Sequence, residues 1–246
     1  PMEDRTLLCK DQLWVAFSLS SVSEIDLDIV DLPVTSLGPP ADRGKTYHEV
    51  VMRLKDLPDA ERIRAISCLI AELEVDPTAF NGPFRMLSWQ EAGKLLRNSK
   101  MTLHPHTVTH PILSRCPQDK IDYEIDESCA VVERATGYST KVFAYPNGRE
   151  RDFDDRAKAA LRRRGIRWAL AGTLGLASRN SDPLALPRIP IGGDVPFARF
   201  CLLVFGALTF RGGLRHGSAQ GEHSVIAGED SFARVLPSEV LTRRFG

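Results

Sequence analysis

The chain has 246 residues, 43% of them hydrophobic and 26% charged, with 32 basic residues against 32 acidic ones. That length and apolar content suffice for a sizeable packed core, and the balanced charge supplies no electrostatic reason to bind nucleic acid or an anionic membrane surface. Five scattered cysteines, Cys9, Cys68, Cys116, Cys129 and Cys201, form no Cys-x-x-Cys pair, which argues against a disulfide framework or zinc knuckle and for reduced thiols in the cytoplasm.

Leu7 to Ser18, with Leu7-Leu8, Leu13-Trp14 and Phe17, reads as a short amphipathic helix. Ile25-Asp26-Leu27-Asp28-Ile29 alternates at period two and predicts a half-buried strand. Asp26, Asp28 and Asp31 then read as solvated carboxylates in preference to metal ligands. After a Pro- and Gly-rich loop from Val34 to Gly44, a helix runs from Tyr47 to Leu57 and stops at Pro58. Asp59 is placed to cap the next, whose stripe is Ile63, Ile66, Leu69, Ile70 and Leu73. Ser88-Trp89-Gln90-Glu91 is a capping box that opens a helix to about Asn98.

Three of the six histidines fall in His104-Pro105-His106-Thr107-Val108-Thr109-His110-Pro111, behind a candidate strand, Met101-Thr102-Leu103. His106 and His110 are four apart. On a strand they would lie roughly 13 Å from each other at about 3.3 Å per residue, too far to share one metal ion. A turn brings them together, and Pro111 biases His110 away from helical geometry, so the turn is predicted to be short.

Asp119 to Ala135 reads as a helix with Ile121, Ile125, Cys129 and Val132 inward and Gly137 as its stop. Val142-Phe143-Ala144-Tyr145 is a short apolar strand that ends in the turn Pro146-Asn147-Gly148. Phe153-Asp154-Asp155-Arg156 opens a helix through Leu161 whose last turn is Arg162-Arg163-Arg164, an arrangement that matches the helix dipole. Ile166 to Ala171 is the next strand, so strands and helices alternate at the interval of a parallel sheet. Leu186 to Asp194 supplies a late strand and loop with Arg188, and Phe197 to Leu208 an apolar helix suited to barrel packing. The apolar run Phe197 to Phe210 is too short to span a bilayer and contains Arg199, so it reads as a core or interfacial helix, and no signal peptide is visible. Beyond Arg211 the chain is polar and Gly/Ser-rich, with His216 and His223 in no ligand-like spacing, and reads as poorly ordered.

His106-Thr107-Val108-Thr109-His110-Pro111-Ile112-Leu113-Ser114 resembles the second motif of the polysaccharide deacetylases, the NodB-homology carbohydrate esterases, and Phe143-Ala144-Tyr145-Pro146-Asn147-Gly148 resembles the third. The resemblance runs from about Leu13 to Leu208. It implies an α/β fold, an irregular (β/α) barrel, and metal-dependent hydrolysis of N-acetyl groups on amino sugars of a glycan substrate. By the same resemblance His106 and His110 bind a divalent metal, usually zinc, the Asn147 backbone N–H holds the oxyanion, and Tyr145 and Arg188 are candidates for substrate binding, with Arg188 equally able to pair structurally with an acid. Ala144 stands where the family often has arginine, and His104-Pro105 where it usually has Gly-Ser or Gly-Ala.

The family's Phe-Asp-Asp-Gly motif, source of a base and a metal ligand, is absent, because Phe153-Asp154-Asp155 follows a charged loop instead of an apolar strand. No late Leu-x-His element is found either. The expectation is therefore a barrel lacking its first strand and helix, with the alternative of a non-catalytic carbohydrate-binding or scaffolding domain. Its parts are an amino-terminal segment (1–85), whose strand and two helices between Ser23 and Val75 cover the barrel, a barrel portion (86–210) and a tail (211–246). Oligomeric state is left open.

Overall fold

The computed structural model describes residues 6–39, 43–80, 86–98, 100–193 and 195–207; the tail assigned to 211–246 lies outside them. In chain order the elements are α1 (Cys9–Leu19), β1 (Glu24–Ile25), β2 (Thr35–Ser36), α2 (Arg43–Leu54), α3 (Asp59–Glu72), α4 (Trp89–Asn98), α5 (Gln118–Thr136), β3 (Val142–Ala144), α6 (Asp155–Arg163), β4 (Trp168–Leu174), β5 (Leu186–Arg188) and α7 (Phe197–Val204). The fold is α/β. Two hydrophobic cores organise it, one built by α1 to α3 and the other by α5, α6 and the β3-β4-β5 sheet.

In the first core, α1 is the centre and not an amphipathic surface helix. Leu13, Val15, Ala16 and Phe17 are all fully buried, and α2 and α3 bring Val50, Leu54, Ile66, Leu69 and Leu73 against them. The strand and helices between Ser23 and Val75 therefore share one core with α1. The predicted strand at 25–29 shortens to β1, paired antiparallel with β2. Ile25 and Leu27 point inward as the alternation requires, but the Asp28 N–H donates to Asp26 Oδ1 at 2.9 Å, and this local turn ends the strand and leaves Ile29 exposed. Asp59 does not cap α3. It lies inside the first turn, buried, and accepts from Arg62 Nη2 at 2.6 Å.

The second core follows its predicted pattern more closely. α5 ends at Gly137, whose φ of 78° is the left-handed stop that glycine adopts without steric cost. Its buried stripe, Ile121, Ile125 and Cys129, packs under Phe143, Leu161 and Ala169. β4 lies between β3 and β5 and runs parallel to both, in the registers Phe143 with Ala169 and Leu170 with Leu186. Among the described residues this sheet has three strands and does not close into a barrel.

Met101-Thr102-Leu103 is not a strand. The Tyr138 hydroxyl accepts from the Leu103 N–H at 2.8 Å and donates to the Leu103 carbonyl at 2.6 Å, so a side chain satisfies the backbone groups a neighbouring strand would have used. One ladder bond survives, from the Ala144 N–H to the Pro105 carbonyl at 3.2 Å, and it seats this segment along the outer edge of β3. α7 does not pack into a core as expected: none of its residues is buried, and Phe197 is 79% exposed. Among the described residues, no helix is long and apolar enough to cross a membrane.

Candidate functional site

The His106–His110 segment is a tight turn at the outer edge of β3. Thr107 and His110 both have positive φ, 67° and 60°, a left-handed backbone that costs a non-glycine residue about 1–2 kcal/mol. Pro111 excludes the helical alternative at His110. Within the turn, the Thr107 hydroxyl accepts from the His110 N–H at 3.1 Å. Beneath it lies Glu124 of α5, fully buried, whose Oε2 accepts from the Val108 and Thr109 N–H groups at 2.7 and 2.9 Å and whose Oε1 accepts from the Thr109 hydroxyl at 2.5 Å. Lys120, one turn earlier, neutralises the carboxylate from 2.8 Å. Bonds to an ionised group contribute about 1.5–3 kcal/mol each, enough to offset two strained residues.

This geometry brings the two imidazoles to a centroid separation of 5.0 Å at 74°. His106 Nδ1 donates to the Ala144 carbonyl at 2.7 Å, which fixes the tautomer and leaves Nε2 as the free lone pair. A shared ion would need one ring nitrogen from each histidine at about 2.0–2.1 Å. Burial among protein atoms lowers the pKa of both rings; for His110, burial first and the neighbouring His106 second bring it to about 4. Both are therefore neutral near pH 7, the form that ligates a metal. His104 is occupied elsewhere: Nδ1 bonds to Thr140 Oγ1 at 3.0 Å and Nε2 to Thr102 Oγ1 at 3.1 Å.

At the end of β3, Asn147 has φ 58°, and no described residue accepts from its N–H. The turn is pressed onto β4, because the Gly172 N–H donates to the Gly148 carbonyl at 2.5 Å. Arg188, at the end of β5, donates from Nε to the Ala171 carbonyl at 2.5 Å, and its charge helps to lower the His106 pKa. Lys10 of α1 acts on both histidines and Arg62 of α3 on His110. The first core thus contributes positive charge to the surroundings of the turn.

Tyr145 does not belong to this group. It is fully buried, stacked on Phe153 at 3.9 Å, and its hydroxyl donates to the Leu184 carbonyl at 2.9 Å, which makes it a core residue. Asp154 is the N-cap of α6, accepting from the Arg156 and Ala157 N–H groups. Among the described residues, no group of three His, Cys, Asp or Glu side chains converges to hold a metal. Glu124, Tyr138, Lys10 and Arg62 escaped the sequence reading. Only Glu124 carried a signal, a charged residue three places after Ile121 on the apolar face of α5.

The family model described as polysaccharide deacetylase matches residues 42–169, just over half of the chain, and spans α2 through the start of β4. The chain belongs to the polysaccharide deacetylase family. The family assignment carries with it hydrolysis of carbon–nitrogen bonds as the family's reaction. Among solved structures, the deacetylase PplD of Streptococcus pyogenes, determined with acetate, is 23% identical at a TM-score of 0.44, over 48% of this chain and 50% of that one. Family proteins from Bacillus anthracis and Bacillus cereus are 21% and 20% identical, each at a TM-score of 0.42 and over 48% of this chain and 36% of theirs. The chain thus spans half or less of the length of these structures. No match is found among curated proteins.

Proposed function

We propose that this polysaccharide deacetylase domain serves metal-dependent removal of N-acetyl groups from amino sugars of a glycan, with His106 and His110 holding a divalent ion, zinc by family resemblance. The observation that carries the reading is the pairing of two neutral imidazoles at 5.0 Å, one with its tautomer set by the Ala144 carbonyl. The donor set suits zinc in type and spacing, but it fills two protein positions where a catalytic site uses three. When bound, such an ion supplies Lewis-acid polarisation of the acetamide carbonyl and an acidified water.

The chain's own residues supply the rest. By the family resemblance the Asn147 N–H, from which no described residue accepts, is the donor to the developing oxyanion, on a turn bonded to β4 through Gly148 and Gly172. Arg188 adds positive charge to the surroundings of His106. A general base and a third ligand are not among these residues, and we place both, with the strand and helix that complete an irregular barrel, in sequence outside the matched segment. The alternative is a non-catalytic carbohydrate-binding or scaffolding domain derived from this fold.

Acetate release from N-acetylglucosamine oligomers, with zinc or cobalt present, separates the two. This chain is expected to turn over little, and a chain extended through an upstream Asp-Asp pair to gain activity. An extended chain that stays inactive yet binds the oligomers would favour the scaffolding reading. Equilibrium dialysis should find weak zinc binding that the His106→Ala/His110→Ala double variant loses. Unchanged stoichiometry and affinity in the double variant would refute the metal assignment.

A further inference from the structure

We infer that Glu124 is the positioning residue of the histidine pair, a buried anion whose task is to hold the turn in a shape that points both imidazoles at one ion. The inference rests on the proposed metal reading and goes one shell further out. Glu124 has no solvent exposure, and both of its oxygens are spent within the turn or on Lys120: Val108 N–H at 2.7 Å, Thr109 N–H at 2.9 Å, Thr109 Oγ1 at 2.5 Å and Lys120 Nζ at 2.8 Å.

The three turn donors belong to the two residues between Thr107 and His110, the positions forced into left-handed backbone. A turn of this kind has no ladder or helix bonds to keep it closed, and relaxation of Thr107 or His110 to ordinary φ values would swing one ring away from the other. The carboxylate prevents this by gripping the residues between the rings. Lys120 keeps the anion charged inside the protein, where an unpaired carboxylate would take up a proton and lose acceptor strength.

Glu124 bonds to neither imidazole. Most known outer partners of a metal-bound histidine grip the ring itself, and the Ala144 carbonyl already has that role for His106. Glu124 acts one step earlier, on the backbone that spaces the two rings.

The test is zinc titration by calorimetry of the full chain, its Glu124→Ala, Glu124→Gln and Thr109→Val variants, with two-dimensional NMR of the same metal-free samples. Glu124→Ala should weaken zinc binding about 10- to 100-fold, as loss of outer-shell partners does, and abolish the ring-to-ring nuclear Overhauser contact between His106 and His110. Glu124→Gln keeps an oxygen for the two N–H groups but places a non-accepting amide NH2 where Oε1 meets Thr109 and Lys120, and should fall between the parent and Glu124→Ala. Thr109→Val removes one bond without touching the carboxylate and should also weaken binding, by less than Glu124→Ala, which preserves the test if Glu124→Ala does not fold.

A purely structural staple makes a different prediction, a lower melting temperature with zinc affinity and ring contact unchanged. That result in Glu124→Ala, or in Thr109→Val where the former is unfolded, overturns the inference and leaves the metal reading standing. A parent that binds no zinc overturns the metal reading itself, and the positioning role with it.

Discussion

Replacing Gly172 with alanine tests how tightly the Asn147 turn is clamped to the sheet. An added Cβ would sit 2.4 Å from the Asn147 carbonyl oxygen and 3.1 Å from the Gly148 carbonyl carbon, both backbone atoms that no rotamer change can move aside. Ordinary contact begins near 3.4 Å, so the turn must retreat by about 1 Å or β4 must bend. Overpacking of this kind costs about 1–3 kcal/mol, which at about 2–4 °C per kcal/mol for a chain of this size lowers the melting temperature by roughly 2–12 °C. The same displacement carries the Asn147 N–H off its line and should cost on the order of 100-fold in turnover in any extended, active form. Thermal unfolding followed by circular dichroism is the assay, with Gly93→Ala in α4 as the control. There, among the described residues, the new Cβ meets only the flexible end of Arg97 at 3.4 Å, and helix propensity favours alanine. If Gly172→Ala melts within about 1 °C of the parent, the turn is not clamped and the argument from close backbone approach fails.

Tyr145→Phe removes the donor to the buried Leu184 carbonyl and should cost about 1 kcal/mol in denaturant unfolding, while leaving binding of glycan oligomers untouched; weakened oligomer binding at unchanged stability would return Tyr145 to the site. Asp154→Ala removes the N-cap of α6 and should cost about 0.5–2 kcal/mol without altering zinc affinity, and a loss of zinc binding would mean that Phe153-Asp154-Asp155 has a metal role after all. Burial alone would raise the Glu124 pKa, but the Lys120 and Thr109 side chains and the Thr109 and Val108 N–H groups outweigh it and hold the group below the ordinary glutamate value. A depressed folded-state pKa means stability that is present above the unfolded value, about 4.3, and is lost as pH falls through the folded one. Acid titration of stability should therefore be shallower in Glu124→Gln than in the parent, and parallel curves would show that the carboxylate contributes nothing through its charge.

The elements read most accurately from sequence are those whose signals are local. The Ser88–Glu91 capping box forms both of its reciprocal bonds, Gly137 closes α5, and Asp154 opens α6. Where the reading slipped, a non-local or competing bond decided the matter. α1 is a helix as its spacing suggested, but the run Leu13 to Phe17 is apolar all round because α2 and α3 surround it, and a one-sided stripe was the wrong expectation. The strand at Met101–Leu103 is displaced by a tyrosine hydroxyl 35 residues later in the chain. α7 has the composition of a core helix and lies on the surface, and nothing within its own sequence distinguishes those two placements.

The histidine pair was legible for a reason that also limits what else could be read. Four-residue spacing followed by proline restricts the backbone so strongly that a turn is nearly the only route to shared chemistry, and the observed left-handed Thr107 and His110 are that route. Glu124 left a weaker trace, because a charge on an apolar stripe shows that something must pair with it but not what. Of the three cations around the turn, Lys10 of α1 and Arg62 of α3 left none, each looking in sequence like an ordinary solvated charge, whereas Arg188 of β5 was already a candidate from its late strand and loop. Two of the three are supplied by the first core, so the helices of residues 9–72 are not neutral packing for the site. They add to the field around the two imidazoles, His106 and His110. Truncation into that core should therefore alter the histidines' surroundings even where the β3-β4-β5 sheet stays folded.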